Sequence, residues 1–133
     1  MNPKLERVRK LMAEAQRLNM DMAPTLQQAD LLDIAANWNG IGPAWAPAWF
    51  RKALDTRLSA FQPAALIHDW DYAYIDAGRP GWEVVREAAD NRFYANCRLA
   101  CGDVPIWRPM RWLMEYEAFL AWRAVRRLGG YSI

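Results

Sequence analysis

Apolar residues recur every three or four positions along most of this chain, and glycine or proline interrupts the pattern at several points. This is the period of one face of an α-helix, whereas the strict alternation of a strand nowhere persists. The first run predicts a helix from Pro3 to about Asn19, with Asn2 as its N-cap. Its apolar face consists of Leu5, Val8, Leu11, Met12, Ala15 and Leu18. The pattern therefore predicts an all-α fold.

The same pattern predicts five further helices and one long loop. Residues 38–47 form the loop, because they contain two glycines and two prolines. The other helices span 48–60, 63–77, 82–100 and 109–128. Gly78 is expected to cap the helix over 63–77, and the turn over 79–81 makes it an antiparallel neighbour of the next helix. The remaining helix, from Pro24 to Asn37, is expected to turn four residues inward: Leu26, Ala29, Leu32 and Ala36.

Composition limits the function more than the fold. The chain has 133 residues, of which 53% are hydrophobic, so it can form one domain with a real core. A net charge of +2 is too small for a nucleic-acid binder. Cys97 and Cys101 make no disulfide framework, and their spacing on a helix suits a bond between them poorly, which favours a thiol-compatible cytosol.

The sequence also predicts where the protein is made and how it could leave the cell. It contains no N-terminal signal core and no apolar run of about 20 residues that could span a bilayer. We therefore expect synthesis in the cytoplasm. A protein that acts outside its cell would then be released by lysis or carried inside a particle.

The only histidine, His68, is followed directly by Asp69, and Asp90 lies 22 positions after His68. His68 and Asp90 are almost equally far from the turn near residue 79, so antiparallel packing places them opposite each other. A carboxylate in that position fixes the tautomer of the ring and stabilises the imidazolium. We predict that His68 is a general base that activates water, since no serine suited to act as a nucleophile lies near it in the pattern.

A glycine loop precedes this pair and reads Trp38-Asn39-Gly40-Ile41-Gly42-Pro43. Glycine lets a backbone turn and approach an ion closely. A hard cation such as calcium takes carbonyl oxygens of this kind together with a carboxylate, and Asp69 is the natural side-chain ligand. The bound ion would polarise an ester carbonyl and hold the developing oxyanion.

The glycine loop, the His68-Asp69-x-x-Tyr72 segment and the Ala89-Asp90-x-x-Phe93 segment, in this order, resemble secreted-type phospholipase A2. They are most similar to the compact form in the parvovirus minor capsid protein, which lacks the disulfide scaffold. The resemblance covers about residues 36–97 of a single domain over 1–133, with flanking helices in 1–35 and 105–128. The chain departs from the animal enzymes at three positions, namely Pro43 in place of a glycine and Asn39 and Asp71 in place of disulfide cysteines.

The resemblance implies an activity and a partner. The activity is calcium-dependent hydrolysis of the central acyl ester of a glycerophospholipid at a membrane surface. His68 would activate water, Asp90 would orient His68, and Tyr72 would hydrogen-bond Asp90. Association with a viral or phage particle is a further implication.

The resemblance also implies a set of calcium ligands. Asp69 would supply the carboxylate, and the main-chain carbonyls of Trp38, Gly40 and Gly42 would supply the loop oxygens. The N–H of Gly40 would assist the oxyanion.

Several of these residues have plainer interpretations. Asp90 could be a solvated helix residue or a partner of Arg86, and Tyr72 could simply pack in the core. A zinc site at Cys97 and Cys101 is disfavoured, because the chain has one histidine and no second cysteine pair. The alternative function is a non-catalytic membrane-binding or particle-forming module on a phospholipase-like fold.

The tryptophans and arginines leave two interpretations open. Trp38, Trp45 and Trp49 flank the loop and could rim an interfacial surface or pack in the core. The last helix could lie on an anionic membrane, or pack one aromatic face and leave its arginines in water. Its region contains Trp107, Arg108, Arg111, Trp112, Trp122, Arg123, Arg126 and Arg127.

Overall fold

The computed structural model describes residues 2–38 and 59–128. Within these ranges 77% of the residues are helical and none forms a strand, which confirms the predicted all-α class for this part of the chain. The described α-helices are α1 (Pro3–Arg17), α2 (Pro24–Gln28), α3 (Leu31–Asn37), α4 (Gln62–Ala73), α5 (Trp82–Cys101) and α6 (Pro109–Leu128), with a 3-10 turn at Ser59–Phe61.

Helix α1 forms as its periodicity predicts. The Asn2 side chain accepts a hydrogen bond of 2.8 Å from the Lys4 N–H, so it caps the helix. Val8, Met12 and Ala15 are buried in the core. The other predicted apolar positions of α1 are half-buried against this core: Leu5, Leu11 and Leu18.

The predicted helix over Pro24–Asn37 is wrong in one respect, because the structure divides it into α2 and α3. Asp30 interrupts it: its carboxylate accepts a hydrogen bond of 3.0 Å from the Asp33 N–H and starts a new helix. Because of the interruption, the positions of α3 that face the core differ from those expected for one continuous helix. Leu26 is buried as predicted, but Leu32 is 68% exposed. Ala29 is half-buried and Ala36 exposed, whereas Ile34 and Ala35 are buried.

Helix α4 ends at Ala73, four residues earlier than predicted, and Gly78 does not cap it. The N–H groups of Tyr74 and Ile75 complete its last turn. Asp76 then forms a local turn in which its carboxylate accepts a hydrogen bond of 2.9 Å from the Gly78 N–H. An aspartate side chain that bonds the backbone two residues on favours a turn over further helix.

Helix α4 is the centre of the domain. All its residues from 62 to 68 are buried, and it packs against α1, α3 and α5. Phe61, Leu66 and Ile67 contribute large buried side chains to the core. A helix that is buried on nearly every side places its polar residues inside the protein, so those residues need partners on neighbouring helices.

Helices α4, α5 and α6 run antiparallel in succession. Tyr72 on α4 contacts Arg86 and Asp90 on α5, whereas His68, one turn earlier on α4, contacts Asp90. At the other interface, Arg98 of α5 pairs with Glu115 near the start of α6, and Asn91 contacts Trp122 further along. None of the described helices combines the length and apolar character needed to cross a membrane.

Some predictions lie outside the described residues. These are most of the loop over 38–47, with Gly40 and Gly42, and most of the helix over 48–60. Only Ser59 and Ala60 of that helix are described, and they belong to the 3-10 turn.

Candidate active site

The predicted juxtaposition of His68 and Asp90 is present in the structure. His68 lies on the second turn of α4 and Asp90 near the middle of α5, and His68 Nε2 is 2.8 Å from Asp90 Oδ1. Asp90 is 0% exposed and His68 is 7% exposed. The short turn between the two helices brings the residues together, as expected from their equal distance from it.

The hydrogen bond to Asp90 decides the tautomer of His68. A carboxylate can only accept, so the neutral ring carries its proton on Nε2 and presents Nδ1 as an acceptor. Nδ1 makes no hydrogen bond to any side chain of the described residues. The rings of Tyr72 and Phe93 hold the imidazole in place, with centroid distances of 4.1 Å and 4.9 Å. An imidazole held in this way can chemically accept a proton at Nδ1.

Asp90 is enclosed by donors on both of its oxygens. Oδ1 accepts from His68 and from the Tyr72 hydroxyl, which is 2.5 Å away. Oδ2 accepts from Arg126 at 2.7 Å and, more weakly, from Arg86 at 3.4 Å. A fully buried carboxylate is tolerated only when charges and hydrogen bonds compensate for its lost hydration, and here they do.

These contacts determine which groups are charged. Burial raises the pKa of Asp90, but the hydrogen bonds from His68, Tyr72 and Arg126 outweigh burial and leave that pKa below its usual range. Burial and the hydrogen bond to the Asp90 carboxylate raise the pKa of Tyr72 well above its usual range. Asp90 is therefore ionised near neutral pH, and the Tyr72 hydroxyl remains a donor to it.

Arg86 and Arg126 connect α6 to this cluster. Arg86 also donates to the main-chain carbonyls of Val125 and Arg126, each at 3.1 Å. Helix carbonyls near a C-terminus lack partners in their own helix, so this buried guanidinium holds the last turns of α6 against α5. Arg86 is the partner named by the plainer interpretation of Asp90, and the two side chains are in contact. No sequence signal indicates Arg126, which is 36 residues from Asp90.

A second polar cluster lies beside the first and ties the chain between α1 and α2 to α5. Arg92 contacts both carboxylate oxygens of Asp71, at 3.0 and 3.2 Å, and also binds Asp21 at 3.0 Å. The buried Asn96 amide bonds both the N–H and the carbonyl of Asp21, at 2.9 and 2.8 Å. Asp71 thus holds α4 to α5 through an ion pair with Arg92.

The predicted calcium ligands are only partly described. Asp69 is half-buried on α4, directly after the candidate base. Trp38 follows the end of α3, which packs on α4, whereas Gly40 and Gly42 lie outside the described residues. Residues 2–38 and 59–128 contain no group of three acidic, histidine or cysteine side chains suited to a metal. A carboxylate with main-chain carbonyls is nevertheless a donor set that suits calcium.

The two cysteines take no part in the cluster around Asp90. Cys97 and Cys101 are free thiols buried in the core. The Cys101 thiol donates to the Cys97 carbonyl at 3.4 Å, one turn back on α5. Burial raises the pKa of Cys97 well above its usual value and that of Cys101 to about 11. Both therefore act as small apolar core residues.

Comparison of the chain with protein-family models, with curated proteins and with solved structures finds no match. The function is therefore inferred from the residues around His68 and Asp90.

Proposed function

We propose that this protein hydrolyses a carboxylic ester of a glycerophospholipid with water as the nucleophile, in the manner of a calcium-dependent phospholipase A2. The observation that carries the proposal is the bond from His68 Nε2 to the buried Asp90 carboxylate, which leaves Nδ1 as an acceptor. The order of the three segments that resemble phospholipase A2 supports the choice of substrate.

The chemistry that we propose for these residues is a proton relay. A water molecule at His68 Nδ1 attacks the ester carbonyl and gives a proton to the ring. Asp90 stabilises the imidazolium that forms, and Tyr72 and Arg126 keep Asp90 ionised and oriented. The imidazolium then returns the proton to the departing alkoxide as the carbon–oxygen bond breaks. The products are a fatty acid and a lysophospholipid.

Calcium is part of this proposal. Asp69 and the carbonyls of Trp38, Gly40 and Gly42 would hold it. Bound calcium would polarise the ester carbonyl and stabilise the charge that develops on its oxygen.

The experiment is fatty-acid release from mixed phospholipid vesicles, in calcium or in excess chelator, with wild type and the His68→Gln variant. We expect release only from wild type in calcium. Circular dichroism and urea unfolding of the variant show whether its fold is retained. Equal release by a folded His68→Gln variant, or no release by wild type, would refute the role of His68.

A second pair of variants tests the calcium ligand. Asp69→Asn should abolish both calcium binding and release, because it removes the only carboxylate of the proposed ligand set. Asp103→Asn makes the same chemical change at an exposed aspartate that pairs with Arg17, and it should behave as wild type. Isothermal titration with calcium alone measures the binding. Unchanged calcium dependence in Asp69→Asn would contradict the assignment.

The alternative function, membrane binding without turnover, is favoured by one observation. The region from residue 106 to the end of α6 exposes several large apolar side chains, including Ile106, Trp107 and Trp112. Binding of wild type to vesicles without fatty-acid release in calcium would support this alternative.

A further inference from the structure

Helix α6 carries a second apolar face that points away from the core. Its inner face packs on α5 through Ala118 and Ala121, with Met114 and Val125 half-buried beside them. On the opposite side lies a stripe of residues that share the outer face at helical spacing, which we call the outer stripe. It consists of Trp112, Leu113, Tyr116, Phe119, Leu120, Arg123 and Arg127.

The apolar members of the outer stripe are exposed. Trp112 is 73% exposed and Tyr116 is 58% exposed, and Leu113, Phe119 and Leu120 are exposed as well. A continuous exposed apolar surface of this kind marks a site of association. Two further exposed residues, Ile106 and Trp107, extend it from the turn before the helix.

The charge of the outer stripe narrows the class of partner. Its only charged residues are Arg123 and Arg127, and it contains no carboxylate. The two carboxylates of α6, Glu115 and Glu117, lie off the stripe on either side of it, and Glu115 is already paired with Arg98 and Arg111. A second copy of the same stripe would offer these arginines no counter-charge, and burying them without one is costly. An anionic lipid headgroup provides it.

The aromatic residues suit a bilayer interface. The Trp112 indole N–H donates to the Ile106 carbonyl at 2.9 Å, so the ring can enter an apolar medium without an unpaired donor. The guanidinium of Arg123 lies 6.0 Å from the Phe119 ring centre, and that of Arg108 lies 5.5 Å from Trp107. Aromatic rings with adjacent arginines are typical of helices that lie in the plane of a membrane interface.

We propose that the outer stripe of α6 docks the protein on an anionic phospholipid surface, with Trp112, Tyr116 and Phe119 inserted among the lipids. The proposal deepens the proposed function by naming the residues that meet the membrane. The interpretation of the stripe as the docking face of an enzyme rests on that proposed function.

The test is co-sedimentation of the full chain with vesicles of phosphatidylcholine, alone or mixed with phosphatidylglycerol. Excess chelator is present, so calcium-dependent hydrolysis does not interfere. Wild type should bind the mixed vesicles at least about tenfold more tightly than the neutral ones. Trp112→Ser and Phe119→Ser should each weaken binding by about tenfold, because each removes a large apolar side chain from the interface.

The matched control is Leu32→Ser, which removes an equally exposed apolar side chain from α3, on a different part of the surface. It should bind within about twofold of wild type, since it does not belong to the outer stripe. Arg123→Gln combined with Arg127→Gln should weaken binding to the mixed vesicles only. Equal binding by wild type and Trp112→Ser, or no preference for the anionic vesicles, would overturn the proposal.

Two further measurements distinguish membrane docking from dimerisation through the outer stripe and from the proposed hydrolytic function. Sedimentation velocity without lipid should show a monomer, and a dimer that Phe119→Ser dissociates would instead assign the stripe to a second copy. Hydrolysis of a short-chain phospholipid dispersed below its micelle concentration tests the proposed function without vesicles. Stripe-dependent binding without hydrolysis would refute the proposed enzymatic function and support the docking surface. Hydrolysis without stripe-dependent binding would support the enzymatic function and refute the docking surface.

Discussion

The contact between Arg126 and Asp90 provides a quantitative test of the candidate site. Arg126 is the nearer of two arginines on Oδ2 of a carboxylate with 0% exposure, at 2.7 Å against 3.4 Å for Arg86. Replacing it with leucine keeps much of the apolar stem and removes the charge. Arg127→Leu is the matched control, because Arg127 is exposed and adjacent to Arg126 in the chain.

The expected cost follows from the surroundings of Asp90. A hydrogen bond to a charged group contributes about 1.5–3 kcal/mol, and breaking a buried ion pair costs about 3–5 kcal/mol. The lower range applies here, because Arg86, His68 and Tyr72 still contact the carboxylate. We expect Arg126→Leu to lower the free energy of unfolding by about 2 kcal/mol. The control should change it by less than about 0.5 kcal/mol.

Urea unfolding followed by tryptophan fluorescence measures both variants. With a slope of about 2 kcal/mol per molar urea, the midpoint of Arg126→Leu should fall by about 1 M. Because the folded protein depresses the Asp90 pKa, the stabilisation is complete above the unfolded value near 4 and is lost as pH falls through the folded value. The difference from wild type should therefore be full at pH 7 and shrink well below pH 4. Equal midpoints for Arg126→Leu and Arg127→Leu at pH 7 would show that Arg126 does not stabilise the fold through the Asp90 carboxylate.

Three further predictions concern the surroundings of His68 and the core. Tyr72→Phe removes a hydrogen-bond donor from Asp90 and should lower the hydrolysis rate about tenfold, measured by steady-state kinetics. An unchanged rate would exclude a contribution of the Tyr72 hydroxyl to hydrolysis. Phe93→Ala should cost about 3–5 kcal/mol in urea unfolding, because Phe93 is buried, and a cost below about 1 kcal/mol would contradict its core position. Cys97 and Cys101 should resist a water-soluble thiol reagent until the protein unfolds, and rapid reaction of the native protein would contradict their burial.

The origin of the outer stripe shows one limit of helical periodicity. Apolar residues at three-four spacing predict a helix and one buried face, and α6 spans Pro109–Leu128 as predicted. The periodicity does not say which of two apolar faces meets the core. Small residues, Ala118 and Ala121, allow α5 to approach on one side, and the larger aromatic residues are left outside.

Features that depend on near neighbours in the chain could be predicted from the sequence alone. The cap at Asn2, the ends of α6 and the placement of His68 opposite Asp90 follow from local hydrogen bonding, helical period and a short turn. Even these fail where a side chain competes with the helix, as Asp30 and Asp76 do at the α2–α3 break and after α4. Such competition depends on small energy differences that composition does not reveal.

The contacts of the Asp90 carboxylate with α6 could be found only from the packing of the helices. Arg126 reaches it from α6, and Arg86 joins the same cluster to the last turn of that helix. Asn96 and Arg92 likewise hold Asp21, more than 70 positions earlier in the chain. These partners are distant in sequence, and any of several arginines could have supplied the charge. The choice depends on the packing of α5 against α6, which buries Asp90 and makes its full set of donors necessary.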